Sequence, residues 1–248
     1  MKKTIILSIL GILLFASNSF AGNTLLVQAA AGGWYASTSG ETGYKSSSDI
    51  SLDDNLGYDE TTTLEGRIKA YLPVFPNIYI MGAAVNMDEK GDQAGFNFGG
   101  STFNDPFTSE MNINQYDMAL FWEVPFLSLA TLGNLRVEGG LNMRMIDTDM
   151  EIKDSVKKVS KDTQTWVPML YGAGAISIFG GLSVEAEARV SSYDNQQWFS
   201  GIARIKQDIA HIMFISGGYR YDDIDMDTDG LRLDTEIKGP FIEFGVFL

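Results

Sequence analysis

Residues 225–236 read DMDTDGLRLDTE, which spaces oxygen ligands like a twelve-residue calcium loop: Asp225, Asp227 and Asp229 at positions one, three and five, Glu236 at twelve, and Gly230 at the sharp turn. Such a loop wraps a hard cation when a helix stands on each side of it. Here the flanks ISGGYRY and IKGPFIEFGVFL alternate like strands, and Arg232 takes position eight, where an apolar residue is expected. The stretch therefore predicts a solvated acidic turn, with a weak, hairpin-borne divalent site on Asp225, Asp227 and Asp229 as the alternative.

Other reactive chemistry is sparse. The sequence contains neither a GxSxG elbow nor an HExxH pair, and it has no cysteine to act as nucleophile, thiolate ligand or disulfide partner. No catalytic, cofactor-binding or metal-binding residue is assigned. A formal charge of −14 excludes a nucleic-acid binder.

The elements that would position any site begin after an export signal. Lys2 and Lys3 precede an apolar run from Ile5 to Phe15, and small residues lead to Ser19-Phe20-Ala21. That run is too short to span a bilayer, so residues 1–21 are expected to be a cleaved signal peptide and 22–248 a single domain. Cleavage removes two lysines and no acid, which moves the net charge to −16.

Two-residue alternation dominates the remainder. In NLRVEGGLNMRM, Leu135, Val137, Gly139, Leu141, Met143 and Met145 oppose Arg136, Glu138, Asn142 and Arg144. Ten such segments are readable, at 24–36, 60–72, 77–87, 113–124, 134–146, 164–178, 181–193, 198–207, 211–221 and 231–248. Most match a tilted strand crossing a membrane, about 9–11 residues. The connections alternate too: STSGETGYKSSSDISLDDNLGYD and IDTDMEIKDSVKKVSKDT are long, whereas PVFP and FGG are short. Long loops at one end and tight turns at the other predict an all-β, transmembrane antiparallel up-and-down β-barrel of about ten strands, with eight or twelve as alternatives, in the bacterial outer membrane. Aromatic residues near the strand ends, Trp34 and Tyr35, Tyr71 and Tyr79, Trp122 and Phe126, Trp198 and Phe199, Tyr219 and Tyr221, are expected to form the interface belts.

In such a barrel the apolar stripes meet lipid and the charged faces meet the lumen. Arg67, Lys69, Arg136, Arg144, Arg189, Arg204 and Lys206 would then face Glu65, Asp117, Glu123, Glu138, Glu185, Glu187 and Glu243 inside a narrow barrel. Unpaired charges are costly there, so a lumen packed with ion pairs and no wide aqueous pore is expected. The excess negative charge falls in the long connections, where it would gather divalent cations.

The single histidine, His211, follows the short DIA turn. Omptin proteases and lipid A-modifying acyl enzymes keep their histidine-dependent sites near the outer rim, and a general base at the opposite end cannot reach that substrate.

The closing GPFIEFGVFL, with Ile242, Phe244 and Val246 alternating and Leu248 where an aromatic is usual, resembles the C-terminal assembly signal of outer-membrane barrels. Together with the leader and the first segment LLVQAAAGGWYAS, which carries Gly32-Gly33 before Trp34, it resembles a family of small uncharacterised proteobacterial outer-membrane β-barrel proteins with a Gly-Gly feature. That resemblance implies fold and location and brings no catalytic residues or cofactor. The expected function is a non-enzymatic barrel with an envelope structural role or a narrow solute passage. The alternatives are an outer-leaflet lipid or protein hydrolase and a calcium-dependent surface-binding protein. Expected partners are outer-membrane lipid and lipopolysaccharide, the barrel-assembly machinery through the last strand, and divalent cations at the acidic loops.

Overall fold

The structure is a computed structural model that describes residues 25–45, 49–58, 60–73, 76–91, 96–103, 107–124, 127, 130–132, 134–193, 196–209, 212–228 and 230–248. The expected leader, Phe126, His211 and Asp229 lie outside the described residues. The strands are β1 (Leu26–Tyr44), β2 (Ile50–Ser51), β3 (Glu60–Tyr71), β4 (Asn77–Gly91), β5 (Phe96–Phe98), β6 (Ser101–Phe103), β7 (Phe107–Glu123), β8 (Leu135–Lys153), β9 (Lys158–Ser177), β10 (Leu182–Tyr193), β11 (Gln196–Ile209), β12 (Met213–Thr228) and β13 (Leu231–Phe247).

Ten of these, all but β2, β5 and β6, pair antiparallel with their neighbours in chain order, and β13 pairs back onto β1. Over its described residues, each of the ten alternating segments of the sequence falls largely on one of these strands. Val27 and Leu248 exchange two backbone hydrogen bonds, of 3.1 and 2.8 Å, which close the barrel at the end carrying both termini. At the far end the Lys45 N–H donates to the Gly230 carbonyl at 3.0 Å. No open sheet edge is left along this seam, as hydrocarbon requires.

The long strands run well beyond the segments expected from sequence, because their alternation keeps its phase but inverts its polarity. On β7, Tyr116, Met118, Leu120 and Trp122 point outward while Gln115 and Asp117 point inward. Earlier on the same strand, Glu110 and Asn112 point outward while Phe107, Met111 and Ile113 are buried. On β8 the inner face changes from Glu138, Asn142 and Arg144 to Ile146, Met150 and Ile152, and the outer face from Leu141 and Met143 to Asp147, Asp149 and Glu151. β12 changes after Asp222, and β13 changes between Lys238 and Phe241.

The barrel is thus two-tiered. Near the termini its outside is apolar and its inside ionic, the arrangement hydrocarbon demands. Toward the long hairpins its outside is polar and its inside apolar, as in a water-soluble β-protein. Among the described residues no helix is long and apolar enough to cross a membrane.

Two expectations are corrected. The long connections are largely strand: IDTDMEIKDSVKKVSKDT folds as the end of β8, a short turn at Asp154–Lys157 and the start of β9. The adjacent aromatic pairs divide across the wall, since neighbouring strand residues face opposite ways: Trp34 and Trp198 turn inward, Tyr35 and Phe199 outward. Tyr71 and Tyr79 both turn inward, whereas Tyr219, Tyr221 and Trp122 stand outside, joined by Tyr116 and Trp166.

Candidate functional site

The lumen is where chemistry is concentrated. Among the described residues, the buried charged side chains are seven cations and seven anions, so the interior carries no net charge to attract an ion. Arg220 and Asp222 belong to this set, whereas Arg136 and Glu123, both expected within it, sit partly exposed at the mouth. Arg220 lies inside the 211–221 segment, on the face opposite Tyr219 and Tyr221, and the sequence signal for Asp222 was continuation of that alternation past Tyr221.

The inner charges are paired in two layers. In the layer deeper in the barrel, the Arg144 guanidinium meets Asp117 through Nε at 2.9 Å and Nη2 at 2.8 Å, a two-point contact, and reaches Asp222 at 3.4 Å. Arg220 bonds Asp222 at 2.7 Å, Glu65 at 3.2 Å and the Gln115 amide oxygen at 2.6 Å. In the layer nearer the termini, Arg67 pairs with Glu243 at 3.1 Å, Arg204 with Glu187 at 3.0 Å, and Lys206 with Glu185 at 3.0 Å. Lys69 bonds Glu138 at 2.6 Å and lies 4.8–5.8 Å from the ring centres of Tyr71, Tyr79, Phe121 and Tyr171. Aromatic faces and a carboxylate together hold a buried ammonium well.

Glycine makes this packing fit. A Cβ on Gly32 would stand 1.9 Å from the Ile242 carbonyl oxygen, because β1 and β13 approach closely there, in register with Glu243. Gly33 faces outward, and its nearest neighbour would be 4.0 Å away.

Above the ionic layers the apolar tier is capped by the chain itself. Ile50, Leu52, Leu56 and Tyr58 follow β1 back into the interior, where the Tyr58 hydroxyl is hydrogen-bonded to Ser109 Oγ. The Leu52 N–H donates to the Gly40 carbonyl at 2.8 Å, which fixes this return. Phe98 and Phe103, from the β5–β6 hairpin, are fully buried, and Phe98 meets Tyr44 with ring centres 5.6 Å apart. Thr42 Oγ1 on β1 lies 3.9 Å from Met150 Sδ on β8, so opposite walls touch.

The calcium-loop pattern opens out along a hairpin. Asp225 and Asp227 lie on β12, Gly230 takes the turn with φ +75°, and Glu236 lies on β13. Asp225 pairs across the ladder with Asp234, while the Glu236 carboxylate accepts from Lys238 Nζ at 2.8 Å. Carboxylates strung along extended strands do not surround one point, and no group of three or more among the described residues is arranged to hold a metal ion. Burial and the charges of Asp234 and Asp227 raise the Asp225 carboxyl above its ordinary pKa.

A cavity of about 360 Å³ lies at the terminus end, lined by the mouth residues Asn134 and Arg136, and another of about 400 Å³ lies among Glu110, Asn112, Asp149 and Lys161. Deeper in than the first, a gap of about 10 Å³ lies between Lys69, Glu138 and Glu187, room for about one water.

No protein-family model matches the chain, and no curated protein matches it. Among solved structures it is similar in fold to outer-membrane barrels of proteobacteria. These include Ail of Yersinia pestis, at 4% identity over 90% of this chain and 98% of that one (TM-score 0.39). The translocator domain of the autotransporter NalP from Neisseria meningitidis matches at 12% identity over 99% and 97% (TM-score 0.41). The transport unit of the autotransporter AIDA-I from Escherichia coli matches at 9% identity over 95% and 92% (TM-score 0.37).

Proposed function

We propose that this chain is a non-enzymatic integral outer-membrane barrel that works through its outer hairpins and does not pass solutes. The barrel is of the outer-membrane type: its lower wall is apolar outside and charge-paired inside. One observation carries the functional reading, the blocking of the described lumen, inward of the cavity at its terminus end, by two ionic layers and an apolar tier. Balanced, paired charges leave no favourable path for a hydrated ion, and the apolar tier excludes water.

The end carrying the termini and short turns faces the periplasm on this reading, and the extended hairpins stand outside the cell. Lipopolysaccharide would meet the wall at the Tyr35, Tyr116 and Tyr219 level. The assembly machinery would read β13 through Ile242, Phe244 and Val246, and divalent cations would screen like-charged pairs such as Asp225 and Asp234. Gly32, the member of the Gly32-Gly33 pair that β1–β13 closure requires, supports membership of the Gly-Gly barrel family.

Conductance across a planar bilayer tests this. The mature protein is expected to insert without discrete current steps, and regular steps from the unmodified barrel would overturn the reading. Dispersal as a monodisperse species in buffer free of detergent would overturn the membrane assignment itself.

A further inference from the structure

We propose that the free edge of upper β9 takes up an extended, cationic polypeptide segment as an added strand, an inference that rests on the reading of the outer hairpins as the working end. β9 pairs with β8 from Lys158, opposite Lys153, to Ile176, opposite Leu135. Its pairing with β10 stops at Leu170, opposite Val190, and β10 itself ends at Tyr193. Among the described residues no strand therefore covers residues 158–169 on that side.

A proline sheds the neighbour. Pro168 has no N–H to continue the ladder, and its carbonyl accepts instead from Ser191 Oγ at 2.7 Å. At the hairpin turn the Asp154 N–H donates to the Lys157 carbonyl at 2.9 Å, so in an antiparallel ladder the odd-numbered residues of upper β9 exchange hydrogen bonds with β8. Lys158, Ser160, Asp162, Gln164 and Trp166 then turn N–H and C=O the other way, as Pro168 turns its carbonyl. The row they form is roughly 25–30 Å long.

This row stands in water. Trp166 shares an outer row with Met145 and Tyr116 at the aromatic level, and the outward residues above it on β9, Gln164, Asp162, Ser160 and Lys158, are polar. An unpaired edge is forbidden in hydrocarbon, but in water it is a template for a further strand. The ladder to β8 is continuous over this stretch, so neither a proline nor a bulge blunts the edge.

Charge selects the occupant. Ser160 and Asp162 also border the cleft of about 400 Å³, whose wall holds four carboxylates, Glu110, Asp149, Glu151 and Asp162, against the one ammonium of Lys161. Lys158 pairs with Glu151 at 2.8 Å, and the balance is still negative. The acids are spread along two cross-strand rows, Asn112–Asp149–Asp162 and Glu110–Glu151–Ser160, and among the described residues no three of them are arranged to hold a metal ion. Side-chain cations two residues apart on an added strand match the two rows, whereas a bare ion matches neither. A second copy of this chain does not fit. Two barrels in one membrane present β9 running the same way, so antiparallel pairing of their edges would turn one upside down, and a parallel pair would splay because barrel strands tilt by about 35–45°.

Titration of the refolded mature barrel in nonionic detergent with the blocked peptide acetyl-KTKTKTKTK-amide tests the edge, read by calorimetry and by amide exchange. Its threonines suit the inner side, where Thr163 and Thr165 lie. Saturable binding is expected, with new protection at the N–H groups of Ser160, Asp162 and Gln164 and none at their odd-numbered neighbours, which β8 already protects. The fully N-methylated peptide keeps the charge and loses the donors, and should bind at least tenfold more weakly; the glutamate counterpart should not bind. Gln164→Pro, which removes an N–H that β8 does not use, and Asp162→Lys, which reverses an exposed charge, should each weaken binding about tenfold or more. Heat-modifiable migration establishes that each variant is folded, and if Gln164→Pro does not fold, Asp162→Lys and the N-methylated peptide decide. Absence of saturable heat up to about 1 mM, equal binding of the N-methylated peptide, or no protection at the even-numbered amides would each overturn the site. Protection there that grows with barrel concentration in the absence of peptide would assign the edge to a second copy and overturn the cationic occupant. Conductance is read separately, so failure here leaves the closed-lumen reading standing.

Discussion

The guanidinium of Arg220 lies 4.3 Å from the centre of the Trp34 ring, at the level where the ionic lumen gives way to the apolar tier. Both side chains are fully buried, and Arg220 also bridges Asp222 and Glu65. One residue therefore ties β12 to β3 below while presenting a face to the hydrophobic cap above.

Removing that residue should be costly. Arg220→Ala takes from the buried Glu65 its ion-pair partner and leaves Asp222 with the longer Arg144 contact of 3.4 Å, and is expected to lower stability by about 3–5 kcal/mol. By contrast Lys158→Ala, which breaks the exposed Lys158–Glu151 pair of 2.8 Å, should cost less than about 1 kcal/mol. Urea unfolding of the two variants in detergent micelles gives the comparison, and similar midpoints would refute the distinction.

The two glycines of the first strand should respond differently. Gly32→Ala puts a methyl group against backbone that cannot swing aside, so closure between β1 and β13 should fail. Gly33→Ala projects into lipid with no neighbour nearer than 4.0 Å and should be tolerated. Gel migration with and without heating reads closure directly, and a normally closed Gly32→Ala barrel would contradict the close approach.

The cap should loosen separately from the wall. Leu56→Ala empties a fully buried position and is expected to cost about 2–5 kcal/mol, whereas Tyr58→Phe loses only the hydrogen bond to Ser109, about 1 kcal/mol. Hydrogen exchange should show the loss in residues 50–58 and upper β1, with β10 and β11 protected as before. Equal loosening across all strands would mean that the tiers do not act as separate units.

Acid should affect the hairpin tips in opposite directions. Asp225 has a raised pKa when folded, so the folded state binds its proton more tightly and the β12–β13 tip gains stability as pH falls through that value toward 3.8. Asp154 accepts N–H groups from Val156 and Lys157, at 2.8 and 2.6 Å, which lowers its pKa. Its contribution to the β8–β9 tip is present above 3.8 and is lost as pH falls through the lowered value. Amide protection at the two tips, relative to the intrinsic exchange rate at each pH, should therefore rise at the first between pH 6 and 4 and stay level at the second. Asp225→Asn should remove the effect at the first, and a fall in protection there on acidification would reverse the assignment.

The sequence by itself determined a barrel of about ten strands, its antiparallel order and its apolar outer wall, because two-residue alternation states which side of a strand meets hydrocarbon, and the structure fixed the number at ten. It also gave most of the ionic lumen, from Glu65 and Arg67 through Arg204 to Glu243. Only the tertiary structure decided where each strand leaves the membrane. Alternation keeps one phase while the solvent on its outer face changes from lipid to water, so Asp147 and Asp149 on β8 read as loop although they continue the ladder. The partners were likewise set in three dimensions. Arg220 finds Glu65 across 155 positions of chain and Lys69 finds Glu138 across 69, and no local spacing encodes which charges meet once a sheet curls onto its own first strand.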